Sequence, residues 1–380
     1  MSMRILVVGG KLQGIEAAYL AKKAGMDVYL VDRNAQPPAL GLCSSFWQLD
    51  VLKERDLILE LCRDVDLILP AVEDLHVLNA LADLSQQVGV PLAWDQHAYE
   101  ISSSKKKSDA LFAQHGIPAP RYWPECGLPV IVKPEDASGS KGVCKITTEE
   151  ELSVFLERRD VAGGDCIIQE FLGGRSCSIE IMGCRGSYIP LQVTDLEMDE
   201  KYDCRRVVAP SDLDTRLVEQ FREISIKIAG LVNLTGIMDV EVIEHNGTLK
   251  VLEIDARLPS QTPTAVYHST GINILELLAD IYLRGKLSAQ DITPRKAVIY
   301  EHISVVSAEI QFLGEHIMAG AGALAHTADF FGADEALTNY IPGRKSWVAT
   351  LIITADSSNN LWEKRNRVIA RIKEECCSAD

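Results

Sequence analysis

Apolar residues in the first hundred positions fall into two alternating kinds of stretch. Short continuous runs, RILVVGG, DVYLVD, VDLILP and PLAWD, are bounded by glycine, aspartate or proline and read as buried strands. Between them, apolar side chains recur at helical spacing, which predicts helices from Gly14 to Ala24 and from Leu75 to Val88. This alternation is that of a doubly wound parallel α/β unit, whose ligand side lies at the carboxyl ends of the strands, where Gly9-Gly10, Asp32 and Pro70 stand.

The pattern changes after Ser102-Ser103-Ser104. A helix, SKKKSDALFAQHG, stops at Gly116 and is followed by Pro118 and Pro120. Strand LPVIVKP, a loop of small residues ASGSKG, strand VCKIT, a helix from Thr148 and strand CIIQEFL then predict a small β-rich lobe. Strands SCSIEIMG and SYIPLQV, helix DTRLVEQFREISIKIAGLV and the hairpin IMDVEVIEHNGTLKVLEIDA open a larger antiparallel lobe, with Asn246-Gly247 as its turn. The expected division is a Rossmann-like domain over 1–101, a small lobe over 102–175 and a large lobe with a C-terminal extension over 176–380. The last eighty residues read as mixed strand and loop with a charged helix near Trp362 to Glu375, and carry little recognisable chemistry.

Composition narrows the function. With 380 residues and 47% hydrophobic content the chain can bury a large core. A net charge of −16 argues against a nucleic-acid partner, and the one dense basic run, Lys105-Lys106-Lys107, needs a local explanation. No run of about 18 uncharged apolar residues occurs, and no signal-peptide pattern precedes the first strand, so a membrane role and export are not expected and the cytoplasm is. The ten cysteines show no metal-binding or redox spacing.

Three clusters could carry chemistry. In Gly9-Gly10-Lys11-Leu12-Gln13-Gly14 a lysine stands where a dinucleotide fingerprint wants glycine, so an NAD site is poorly supported. A tight turn without ligand and an anion site at a helix N-terminus with Lys11 both remain open. In the second, Lys133 ends a strand before a loop containing Ser138, Gly139 and Ser140, whose backbone N–H groups could close over phosphates. Lys105 upstream and Gln169-Glu170-Phe171-Leu172 downstream, able to meet an adenine edge and face, lift this above an ordinary hairpin. In the third, Asp239 and Glu241 share one face of a strand while Glu253 and Asp255 share one face of its partner. Four converging carboxylates are costly without cations and suit Mg²⁺ bridging nucleotide phosphates, with Arg257 able to fork onto a phosphate or carboxylate.

The order Lys105, Lys133-Pro134, Ser/Gly loop, Gln169-Glu170-Phe171-Leu172, Glu180, Glu241 and Glu253-Ile254-Asp255-Ala256-Arg257 resembles the ATP-grasp superfamily. Its last motif usually reads E-x-N-x-R; here Asp255 replaces the asparagine, and Arg175 follows Gly174 where many relatives place an acid. Within it, GGKLQGIEAAYLAKKAGMDVYLVD, KKKSDALFA, KYDC, GIMDVE, EIDARLPSQTPTAVY and IYEH resemble the 3-methylornithine:L-lysine ligases of pyrrolysine biosynthesis, through residues 1 to about 305.

The resemblance implies an ATP-grasp fold of mixed α/β class and a Mg²⁺-dependent ligase that converts the carboxylate of (3R)-3-methyl-D-ornithine, or D-ornithine, to an acyl phosphate and passes it to the ε-amine of L-lysine. It implies phosphate contacts from Lys105 and Lys133, metal ligation by Glu241, Glu253 and Asp255, and acyl-phosphate contacts from Arg257. It also implies ATP contacts from Lys11 and Asp32. The diamino acid is expected at Glu180, Asp239, Ser260, Gln261 and Thr262, with Asp203 over the site. Lysine is expected at Lys11, Leu12, Gln13 and Glu73. Ligases of this architecture commonly pair, so a homodimer is among the expected assemblies. Two other readings stay open: a different ATP-grasp ligase, and a non-catalytic nucleotide- or NAD-binding protein.

Overall fold

The computed structural model describes residues 2–134, 142–162, 166–307 and 309–376, and among them the strands form three sheets. The first is parallel, in the order β3 (Ser45–Gln48), β2 (Asp27–Asp32), β1 (Arg4–Val8), β4 (Leu67–Pro70). Helices α1 (Leu12–Lys23), α2 (Arg55–Arg63) and α3 (Leu75–Val88) connect or follow these strands. The PLAWD run, expected as a strand, is reduced to one parallel bridge between Ile68 and Leu92. Gly9 takes φ +103, and a Cβ on Gly14 would stand 2.1 Å from the Gly9 carbonyl oxygen. Close packing of α1 on β1 therefore accounts for both glycines without a ligand. Two short helices follow, α4 (Gln96–Ser102) and α5 (Lys105–His115); Ser104 caps α5 and Gly116 ends it at φ +61.

The small sheet orders β6 (Cys144–Ile146), β5 (Val130–Pro134) and β7 (Cys166–Glu170), with α6 (Glu149–Ala162) between β6 and β7 in sequence. The third sheet begins with β8 (Arg175–Cys184), β9 (Ser187–Met198) and β10 (Cys204–Ala209), followed by α7 (Thr215–Leu231). The hairpin β11 (Gly236–His245) and β12 (Thr248–Asp255) forms one edge, and α8 (Thr262–Thr270) and α9 (Ile274–Arg284) come next. The last third of the chain does not stand apart. Its strands β13 (Ala297–Val306), β14 (Glu309–Phe312), β15 (Ala325–Ala328), β16 (Glu335–Thr338) and β17 (Ser346–Ala355) continue this antiparallel sheet to ten strands, with α10 (His316–Ala319) between β14 and β15. The final helix, α11 (Ser358–Cys376), starts earlier than the charge pattern predicts because Leu361, Val368, Ile369 and Ile372 pack onto the core against β13 and β17.

One hydrophobic cluster joins the parallel sheet to the large one: Tyr19 and Leu20 of α1 share it with Leu275 and Leu278 of α9 and Ala265 of α8. Each large apolar side chain buried there contributes on the order of 2 kcal/mol. The seam also holds polar contacts, with the Asn273 side chain donating to the Leu20 carbonyl at 2.7 Å and Lys23 donating to Glu335 at 2.6 Å. Helix α1 is thus fixed to the large sheet, and the fold places it beside the cleft described next.

Candidate active site

A cleft of about 1370 Å³ opens between the small sheet and the large one. Its floor is the β11–β12 hairpin. The register sets Asp239 opposite Asp255 and Glu241 opposite Glu253, and on the other side of β11 Asp239 faces Glu180 of β8. Residues paired in this way share a face, so the pairing brings five acids together on one side of the sheet. Burial, aided by the negative charge of Glu180, pushes Asp239 up to about 7. Burial likewise raises Asp255 to about 7, Arg257 opposing it and Glu253 adding to it. Glu241 lies well above the usual carboxylate range through burial, Glu253 and Asp239.

Arg257 is the nearest counter-charge. Its guanidinium lies 3.1 Å from Asp255 and 3.0 Å from Glu73 at the end of the parallel sheet, and Glu73 in turn accepts from the Gln13 side chain at 3.0 Å. Lys105 from α5 and Lys133 from β5 line the cleft from the small-lobe side. Burial lowers Lys133 from its usual value, while the attraction of Glu253 and Asp109 works the other way. Gln169 is buried and donates to Asp109 at 3.1 Å. The Glu170 carboxylate is held by Lys250 and Arg121, and the N–H groups of Glu170 and Phe171 donate to Arg121 and Pro129 carbonyls. The Phe171 ring carries Lys145 over its face at 3.7 Å, and Leu172 is buried in the same wall.

Comparison with known proteins places this geometry. The ATP-grasp domain profile matches residues 102–261, and a PylC-like N-terminal domain profile matches residues 5–93. The chain is 40% identical over 300 residues to the 3-methyl-D-ornithine–L-lysine ligase of Methanosarcina acetivorans, covering 79% of each protein. The chain belongs to the 3-methyl-D-ornithine–L-lysine ligase family. More distant solved structures share the ATP-grasp fold. The L-amino acid ligase from Bacillus licheniformis aligns with a TM-score of 0.70 at 15% identity over 97% of this chain and 98% of that one. The biotin carboxylase domain of Hydrogenobacter thermophilus 2-oxoglutarate carboxylase, described with MgADP, aligns with a TM-score of 0.74 at 16% identity over 97% and 90%. Family membership sets aside the non-catalytic NAD-binding reading.

For a member of this ligase family, the cleft brings together most of the residues singled out from sequence. Glu73, Lys105, Lys133, Gln169, Glu170, Phe171, Leu172, Asp203, Asp239, Glu241, Glu253, Asp255, Arg257, Ser260, Gln261 and Thr262 all line it. Ser138, Gly139 and Ser140 lie outside the described residues. Lys11, Leu12 and Asp32 are not in its wall. Asp32 folds back instead, one oxygen accepting from the N–H of Gly10 at 2.7 Å and the other from the N–H of Asn34 in its own loop at 2.7 Å. Lys11 is exposed at the start of α1. Gln13 reaches the cleft only through Glu73. Glu180, on the same face beside Asp239, is fully buried and not in the cleft wall, with both carboxylate oxygens unpartnered.

Sequence reasoning missed several residues. Glu315 and His316, from the region expected to carry little chemistry, line the cleft, and His316 lies 2.9 Å from Asp203. Burial raises Glu315, hydrogen bonds from Ser260 and Gln261 opposing it. Glu16, inside the helix that the spacing predicts from Gly14 to Ala24, is buried among the apolar residues around it. Arg175, where an acid was expected, lies 3.6 Å from Asp195 and from Asp212, which restores two carboxylates to that end of the cleft. Among the described residues no three His, Cys, Asp or Glu side chains are gathered into a metal cage, nor is any helix long and apolar enough to cross a membrane. The floor still suits a hard cation: its donors are carboxylates on adjacent strands, Glu241 and Asp255 raised by burial and by their acidic neighbours, and could hold Mg²⁺ with phosphate oxygens completing the shell.

Proposed function

We propose that this chain uses ATP to join the carboxylate of (3R)-3-methyl-D-ornithine, or D-ornithine, to the ε-amine of L-lysine, giving 3-methyl-D-ornithyl-N6-L-lysine for pyrrolysine biosynthesis. The substrate pair comes from the relatives. The observation that carries the chemistry is the half-buried carboxylate ladder of β11 and β12, which lines one cleft with Lys105 and Lys133, an arrangement suited to a polyphosphate with its cations.

In this reading Lys105 and Lys133 grip the phosphates, and the depressed basicity of Lys133 reflects a desolvated site waiting for anionic charge. Glu241, Glu253 and Asp255 would hold Mg²⁺, which when bound neutralises charge on the phosphates. Gln169 to Leu172, with the loop carrying Ser138, Gly139 and Ser140, would receive the adenine and cover the phosphate chain. Glu180 and Asp239, with Ser260, Gln261 and Thr262, would hold the diamino acid by its ammonium and carboxylate groups, and Asp203 would close over it. An oxygen of the substrate carboxylate attacks the γ-phosphorus, the bond to ADP breaks, and Arg257 steadies the acyl phosphate oxygens. The lysine amine, oriented by Glu73 and Gln13, then attacks the acyl carbon; phosphate leaves and the nitrogen loses its proton to solvent. The division at 1–101, 102–175 and 176–380, action in the cytoplasm and homodimer formation belong to the same proposal.

Purified protein mixed with ATP, Mg²⁺, L-lysine and either ornithine tests it directly. Stoichiometric ADP with the mass of the coupled amide is the expected result. ADP release without that mass would retain an ATP-grasp ligase and discard this substrate pair.

A further inference from the structure

Glu16 is a buried acid that the proposed chemistry leaves without a task. It projects from α1 of the parallel-sheet domain into the large lobe, where one carboxylate oxygen accepts the Thr264 N–H at 2.6 Å. Thr264 lies in the first turn of α8, so the carboxylate caps that helix from another part of the fold. Immediately before α8, Gln261 adopts φ 70 and ψ −60 while the Thr262 N–H donates to the Ser260 carbonyl at 2.8 Å. That is a γ-turn with positive central φ, a rare and strained conformation for a side chain larger than glycine. Gln261 Oε1 and Thr262 Oγ1 are buried and without a partner, although both side chains line the cleft.

The same helix serves the opposite end of the site. Gln13, three residues before Glu16 and so on the same helical face, donates to Glu73, which holds Arg257. One rigid turn of α1 therefore touches the supports of both the acyl-phosphate arginine and the strained turn.

We propose that Glu16 is a positioning residue for the diamino acid substrate: by capping α8 it holds the Ser260–Gln261–Thr262 turn in its strained form, with Gln261 and Thr262 directed at the substrate. The inference rests on the ligase reading above. Burial pushes Glu16 up to about 7, but a carboxyl group can accept the Thr264 N–H in either protonation state, so the cap does not depend on charge.

The test uses the intact enzyme and separate apparent KM values for D-ornithine, L-lysine and ATP, with melting temperature and ADP affinity measured on each preparation. Glu16→Ala should raise KM for D-ornithine about tenfold, the scale of a lost helix cap, and leave the other two within about twofold. Glu16→Gln, whose amide oxygen can still accept, should stay within about threefold of the parent in all three. Should Glu16→Ala fail to fold, Glu16→Asp, too short to reach Thr264, gives the same reading. An unchanged D-ornithine KM in the alanine or aspartate variant overturns the proposal, as does an equal rise in all three constants. Equal damage from Gln and Ala also overturns it, by showing that the charge itself meets the substrate. If the parent enzyme makes no amide, the ligase reading has failed; if it does and only these variants misbehave, this inference alone has failed.

Discussion

Two sets of buried carboxylates in one sheet meet opposite fates. Glu301 on β13 is fully buried, yet Arg206 approaches it from β10 and Arg365 from α11, with Arg365 bonding both oxygens at 2.9 Å. Glu180, as deeply buried on β8, has no hydrogen-bond partner on either oxygen, and its neighbour Asp239 is met chiefly by Ser178. Desolvating a charge costs several kcal/mol unless it is paired and hydrogen-bonded. The first set is self-sufficient and belongs to the architecture. The second leaves its compensation to something that arrives from outside, and that difference separates acids that hold the fold from acids that receive ligands.

Substitutions that exchange these fates test the distinction. The largest effect should come from Glu253→Gln, which keeps shape but removes one donor from the ladder: amide formation should fall by about 10³-fold while the melting temperature holds or rises. Undiminished turnover would remove Glu253 from the metal site. Next, Glu301→Ala should leave two arginines facing a void and destabilise the protein by about 3 kcal/mol in urea unfolding. A loss below about 1 kcal/mol would mean that the clamp is not structural. Third, Glu180→Ala should raise the apparent KM for D-ornithine by about 30-fold without loss of stability, since an unpartnered buried carboxylate contributes little to folding. An unchanged KM would take Glu180 out of the substrate site.

The smallest effect concerns pH. Glu16, Glu180, Asp239 and Asp255 stand near 7 when folded, against ordinary values of 4.5 or 3.8. Between these values the folded state binds more protons, so their contribution is full at acidic pH and is lost as pH rises through 7. His268 and His302, lowered by burial to about 4 and about 3, act oppositely, adding stability as pH rises toward 6.5. Above 6.5 the four carboxylates outnumber the opposing Lys133, which burial lowers from its usual value. The ligand-free melting temperature should therefore fall by a few degrees between pH 6.5 and 8, and saturating MgADP with D-ornithine should flatten the slope. A flat ligand-free profile would show that these acids are not raised.

Alternation in a strand has a period of two, so the sequence shows that Asp239 shares a face with Glu241 and Glu253 with Asp255; the Asn246-Gly247 turn alone would set Glu241 opposite Leu252, and a one-residue bulge at Leu252, which nothing in the sequence marks, brings the four acids face to face. Lysine-ended strand and capped helix likewise placed Lys133 and Lys105 at the cleft. What the sequence hid depends on pairing across long separations. Glu301 and Arg206 lie 95 positions apart, and Glu16 and Thr264 lie 248 apart. Nothing local marks such partners. The last eighty residues looked peripheral for the same reason: each strand is ordinary alone, and only the pairing of β13 with β10 and β17 builds them into the site-bearing sheet. Asp32 was legible only as an acid at a strand end; that one of its oxygens bonds the Gly10 N–H depends on a contact across 22 positions.

Strand β13 has a practical bearing on how this protein can be cut. β17 pairs with it along its whole length on one side, and β10 and then β14 pair with successive parts of it on the other. A chain shortened near residue 305 would strip β14 and β17 and lay bare the long edge of β13, eight of whose ten residues are otherwise buried. Such an edge invites strands from other molecules, so the shortened protein would form insoluble aggregates rather than a minimal enzyme. Engineers seeking a smaller catalyst or a tail exchanged between relatives would have to carry β17 and α11 along with β13, moving the final third as one block.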